Sequence, residues 1–154
     1  MSLRRRLAPM LALLVSFLAA SVVHAAEPGS PEDVLTRYLT AIKAEKFEDA
    51  YPLVSKAMRQ GKDKEVYVKE SKALMAFADV KIFSFQVGKA KIDGDKAQVP
   101  NVLESQDRFA NTLGLTEYEL YTLVKEDGAW KIDQQLLLEP AQVREWFPEL
   151  APQP

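Results

Sequence analysis

The sequence changes its period at Asp79. Upstream, apolar side chains recur three and four residues apart. Downstream, β-branched and aromatic residues run in stretches broken by Asp93-Gly94 and Asp127-Gly128. Helical and strand periods segregated in this way do not alternate as a parallel βαβ sheet requires. The arrangement they specify is α+β, with the helices packed on one face of an antiparallel sheet.

The elements can be placed from local signals. Ser30 can cap a helix, Pro31 suits its first position, and Glu32 and Asp33 favour its positive end. The stripe Val34, Leu35, Tyr38, Leu39 and Ile42 carries that helix to about Ala44. A second stripe, Phe47, Ala50, Tyr51, Val54 and Met58, predicts another helix, which Pro52 must start or kink. A third is expected over residues 64–78, with Tyr67, Leu74, Met75 and Ala78 on one side. Strands are expected over 80–92 and 97–104 about the first Asp-Gly turn, and over 115–126 and 129–138 about the second, with 106–114 as an irregular connection. Pro100 cannot donate to a ladder, which predicts an edge strand or a bulge there. Residues 140–150 read as a short amphipathic helix carrying Val143, Trp146, Phe147 and Leu150.

Residues 1–25 read as a cleavable export signal. Arg4, Arg5 and Arg6 precede an apolar run from Leu7 to Val23, and Val23 and Ala25 suit the exit. The apolar run is shorter than the roughly 20 residues of a membrane span, so cleavage after Ala25 is expected rather than anchoring. The Arg5-Arg6 pair loosely suggests a twin-arginine leader, but no cofactor motif that would need prefolding follows, and the general secretory route is the expectation. The organisation expected is a leader at 1–25, one α+β domain at 26–139, and a short helix with a Pro-rich tail at 140–154. The product would be periplasmic or secreted, without stable membrane insertion.

Charge and composition exclude several chemistries. The chain has 20 basic and 22 acidic residues; the leader holds three of the basic ones and none of the acids, so the mature net charge is about −5. Such a domain has no electrostatic footprint for nucleic acid. There is no cysteine, and the single histidine is His24 in the leader. Nucleophile systems built on Ser-His-Asp or Cys-His, histidine bases and the usual zinc sites are therefore ruled out of the mature chain. No Gly-rich phosphate loop is present, and neither a metal nor another cofactor is expected.

Three segments carry a resemblance to a known family: the capped helix from Pro31 to Ala44, the segment Phe47-Glu48-Asp49-Ala50-Tyr51, and the closing run from Leu123 to Ile132. With them the chain resembles the nuclear transport factor two-like superfamily, including small secreted members of unknown function. The resemblance implies a curved, cone-like sheet beneath the helices. It also implies a pocket on the concave face and dimerisation through the sheet. That superfamily includes isomerases, dehydratases, ligand binders and association modules, so the resemblance does not choose a function.

A two-residue turn at Asp127-Gly128 would pair Lys125 with Trp130, Leu123 with Ile132, Tyr121 with Gln134 and Glu119 with Leu136. One face then carries Trp130, Ile132, Leu123, Leu136 and Leu138 together with Tyr121, Gln134, Glu119 and Glu117. Glu119 is the candidate carboxylate base, with Tyr121 or Gln134 orienting a carbonyl oxygen, as in ketosteroid isomerase. The plainer alternative leaves Glu119 at a solvated rim. Tyr38, Tyr121, Trp130 and Gln134 are the candidate ligand-binding residues, and Trp146 and Phe147 the candidate partner-binding ones. The terminal helix folded back onto the domain is the plainer reading of that pair.

The leading expectation is an exported, non-enzymatic accessory or binding domain that holds a small apolar ligand, a peptide or a second protomer on its concave face. The alternatives are a cofactor-free isomerase or lyase using Glu119, and a structural interaction protein using Trp146 and Phe147.

Overall fold

The structure, a computed structural model, describes residues 26–148. The expected leader and the last residues, including Leu150, lie outside the described residues.

The Ser30 hydroxyl accepts the Asp33 N–H at 3.2 Å and opens α1 (Pro31–Lys43), which buries Val34, Leu35, Tyr38, Leu39 and Ala41. A short α2 (Phe47–Ala50) runs into a 3-10 turn (Tyr51–Leu53), and there helical structure stops. The helix expected to reach Met58 is cut short because Val54 and Ser55 leave it to join the sheet. Val54 bridges Ile132 in parallel, and the Ser55 N–H donates to the Ile132 carbonyl at 2.7 Å. Asp63 caps α3 (Lys64–Ala78) by accepting the Val66 N–H at 2.9 Å, and α3 ends on Asp79 in the left-handed region at φ 48°.

Five antiparallel strands follow: β1 (Lys81–Val87), β2 (Lys91–Asp93), β3 (Lys96–Gln106), β4 (Thr116–Glu126) and β5 (Ala129–Leu137). Their order is β1-β3-β4-β5, with β2 lying along β3 beyond the end of β1. The one strand expected over 80–92 is thus two. Pro100 resolves the difference. β3 is interior rather than an edge, but its outer partner is interrupted at Pro100, where the Gly88 N–H donates to the Pro100 carbonyl at 2.8 Å. A residue's N–H and C=O point to the same side of a strand, so proline's missing donor falls in that gap. Gly88 fits because an added Cβ would stand 2.8 Å from Pro100 Cγ.

The Asp127-Gly128 turn forms as expected, with φ of 52° and 78° and Glu126 paired to Ala129. The first turn sits one residue late: Asp93 pairs with Lys96, and Gly94 and Asp95 make the corner. A second displacement has larger consequences. Leu123 pairs with Ile132 but Thr122 pairs with Gln134, so Asp133 is an extra residue in β5. Beyond this bulge every β5 side chain changes face relative to the expected register.

The main core lies between α1 and the concave sheet face, built on Leu35, Leu39, Val54, Val99, Tyr121, Leu123 and Ile132. A smaller cluster on the opposite face joins Leu120 and Leu138 to Phe147, which follows α4 (Pro140–Trp146). α4 therefore folds back on the outer face of the sheet. Phe147 is 6% exposed and its ring meets Tyr118 edge-on at 5.2 Å. Truncating it to alanine should cost about 3 kcal/mol of unfolding free energy, read as a lower urea midpoint with unchanged slope.

Candidate functional site

The leucine at 123 is fixed in the core, so alternation along β4 turns Tyr121, Glu119 and Glu117 to the same concave face. Asn101 of β3 lies directly across from Glu119, and on the other side the bulge brings up Gln135 in place of Gln134. Glu119, 2% exposed, is the centre of the cluster. Asn101 Nδ2 donates to its Oε2 at 2.8 Å, the Tyr121 hydroxyl donates to the same oxygen at 3.3 Å, and Gln135 Nε2 donates to Oε1 at 2.6 Å. The Tyr38 ring of α1 meets Tyr121 edge-on at 6.3 Å.

Tyr38, Glu119, Tyr121 and Gln135, though not Asn101, line a cavity of about 370 Å³ between α3 and the sheet. Its apolar walls include Leu39 and Ile42 of α1, Phe47 of α2, Met75 of α3 and Leu103 of β3; Tyr67 and Ser71 contribute hydroxyls from α3. Leu74 and Leu137, 66% and 57% exposed, also line it and mark its open side. No residue of α3 is fully buried, which is why space remains beneath it. The face expected on α3 to pack through Leu74 instead borders this opening.

Burial shifts the ionisable groups. It raises the Glu119 pKa above the usual carboxylate value, against the pull of Asn101, Gln135 and Tyr121, while the nearby Glu117 adds to the rise. Burial likewise raises Tyr38, Tyr67 and Tyr121, the first and last also through Glu119, so all three keep their protons at neutral pH. Asn101 Oδ1 is buried with no donor among the described residues. A half-turn of that amide would let it accept from Glu119 whenever the carboxyl is protonated. Glu117 accepts the Ser105 hydroxyl at 2.6 Å, and Asp107 accepts the backbone N–H groups of Phe109, Ala110 and Asn111.

No protein-family model matches the chain, and no curated protein matches its sequence. Solved structures do match. A SEC-C motif containing protein from Rhodopseudomonas palustris superposes with a TM-score of 0.55 at 16% identity, over 72% of this chain and 80% of that one. A provisionally named ketosteroid isomerase from Shewanella frigidimarina gives 0.52 at 19% identity, over 71% and 95%. A nuclear transport factor two-like protein from Cytophaga hutchinsonii gives 0.49 at 19% identity, over 69% and 93%. The fold is the nuclear transport factor two-like cone. Its sheet is curved and unclosed, with the helices first and a short helix last, as the resemblance implies.

Within the cone, the residues singled out from sequence separate. Glu119, Tyr121 and Tyr38 come together in the lining of the cavity. Gln134 does not join them: the bulge at Asp133 turns it to the outer face, where it is exposed, and Gln135 takes its place. Leu136 and Leu138, expected beside Glu119, move to the outer face for the same reason. Trp130 packs at the edge of the core, with Lys125 Nζ 5.0 Å from its ring centre, and does not line the cavity. Trp146 lies half-buried under Lys91, whose Nζ is 3.6 Å from its ring centre, and Phe147 is buried beside it. Ser71 carries no signal in the sequence; Asn101 could be placed beside Glu119 only with the β3–β4 register in hand, which Pro100 leaves open in the sequence. Among the described residues no cluster of His, Cys, Asp or Glu could hold a metal ion, and no helix is long and apolar enough to cross a membrane.

A carboxyl whose pKa is higher folded than unfolded binds its proton more tightly in the native state. Its stabilising contribution is complete below the unfolded value near 4.5 and is lost as pH rises through the folded value. Wild-type stability minus that of Glu119→Gln should therefore fall as pH rises from that ordinary value towards neutrality. Paired urea melts across the range check this; a flat or rising difference would mean that the hydrogen bonds outweigh burial.

Proposed function

We propose that the protein is an exported, non-enzymatic binding domain that holds one small, mainly apolar molecule in its cone. The observation that carries this reading is the cavity of about 370 Å³, lined by apolar side chains together with a set of polar ones. That volume lies in the range of small-molecule sites, and the combination of apolar walls with a few converging polar groups is what such sites use for affinity and orientation.

The arrangement of Glu119 favours binding over turnover. A general base needs a lone pair aimed at substrate, and an oxyanion needs a donor waiting for it. Here both carboxylate oxygens accept from Glu119's own sheet, and the Tyr121 hydroxyl is spent on Glu119 rather than presented to the cavity. The second reading, a cofactor-free isomerase or lyase, draws on one observation: burial raises the Glu119 pKa towards the range where a carboxyl can exchange protons at neutral pH.

Native mass spectrometry of residues 26–154, purified gently from the periplasm of an expression host, separates the outcomes. A reproducible added mass is expected on the wild type. Ser71→Trp, which places an indole in the cavity from the half-buried face of α3, should lose it while keeping the same far-ultraviolet dichroism. A bare wild-type protein, or a mass retained equally by the filled variant, contradicts the reading. Chemical conversion of the released molecule that Glu119→Gln abolishes would favour the enzyme.

A further inference from the structure

The lining of the cone is unbalanced in charge. Its ionisable carboxyls are Asp107, Glu117 and Glu119, and no Lys, Arg or His lines the cavity. None of the three takes part in a salt bridge among the described residues, where every ion pair lies elsewhere. Arg59, the cation that influences Tyr67, stacks 4.5 Å from the Tyr51 ring centre and does not line the cavity. A carboxylate 2% exposed with no counter-ion is the costly half of a pair.

The lining is also unbalanced in hydrogen bonding. Asn101, Gln135 and Tyr121 already donate to Glu119, and Ser105 to Glu117. The hydroxyls of Tyr38, Tyr67 and Ser71 are left to donate, beside three carboxyls that can only accept when ionised. A ligand carboxylate would meet those three carboxyls. A bare carbonyl could take a hydroxyl but would leave the acidic lining without a counter-charge.

We propose that the ligand of the cone is an apolar amine, a hydrophobic body carrying an ammonium group whose charge is answered by Glu119 and whose N–H bonds go to carboxyl oxygens of the lining not already engaged, the second oxygen of Glu117 among them. This rests on the reading of the cone as a binding site and names the chemistry that site selects. Tyr38, Tyr67 and Tyr121 line the same cavity as Glu119, and aromatic rings attract an ammonium group. The body of the molecule lies against Leu39, Met75, Leu103 and Leu137. An ammonium beside Glu119 also returns that carboxyl to its ionised form, because an opposite charge offsets burial.

Three compounds of one skeleton test the idea: tryptamine, tryptophol and indolepropionate, titrated calorimetrically into mature protein freed of bound molecules by refolding. Tryptamine should bind about tenfold or more tightly than tryptophol, and indolepropionate most weakly. Glu119→Gln should remove the preference for the amine while tryptophol binding persists, and Ser71→Trp should weaken both. Tryptophol or indolepropionate binding as tightly as tryptamine would overturn the amine assignment and leave the cavity reading standing. An amine preference that survives in Glu119→Gln would likewise overturn it. Absence of binding by all three, in a cavity large enough for each, would overturn both.

Discussion

The Ser55 hydroxyl donates to Asp133 at 2.6 Å while the Ser55 backbone takes the Ile132 carbonyl, and this stitch determines how the rest of β5 presents itself. It holds the chain after the 3-10 turn against the start of β5 and gives the bulged residue a partner. A bulge adds one residue to one strand, and because side chains alternate with period two, everything past it exchanges faces. Gln135 and Leu137 then look into the cone. Leu138 looks out and becomes the floor on which Phe147 packs. The third donor to Glu119 and the docking of α4 are thus consequences of one local insertion.

β4 serves two surfaces at once. Its inward residues Glu119 and Tyr121 line the cavity, and its outward residues Tyr118 and Leu120 carry the terminal helix. α4 covers part of the outer face of the sheet. On the concave side α3 spans the sheet without a fully buried residue, and the cavity lies beneath it.

Glu119 sits under opposing influences. Burial favours its neutral form, and three donors favour its charged form. The unserved Asn101 oxygen adds a partner for the neutral form, and an incoming cation would add one for the charged form. A charge entering beside such a group shifts its protonation further, a cation towards the ionised form.

Much of this was legible in the sequence. The period change at Asp79, the Ser30-Pro31 start, the Asp127-Gly128 turn and the 64–78 helix are local signals, and each formed where expected because capping, proline geometry and turn stereochemistry act over a few residues. Tyr38, Glu119 and Tyr121 were placed on one face by alternation and helical spacing, and they meet. What only the tertiary structure decided was register. Gln134-Gln135-Leu136-Leu137-Leu138 does not alternate, so either phase satisfies the pattern, and the choice was made by Ser55, 78 residues away in the chain. Pro100 marked a missing donor, but only the break between β1 and β2 shows that the gap is absorbed inside the sheet. Local chemistry fixed the elements, and a long-range hydrogen bond chose which of their faces turned inward.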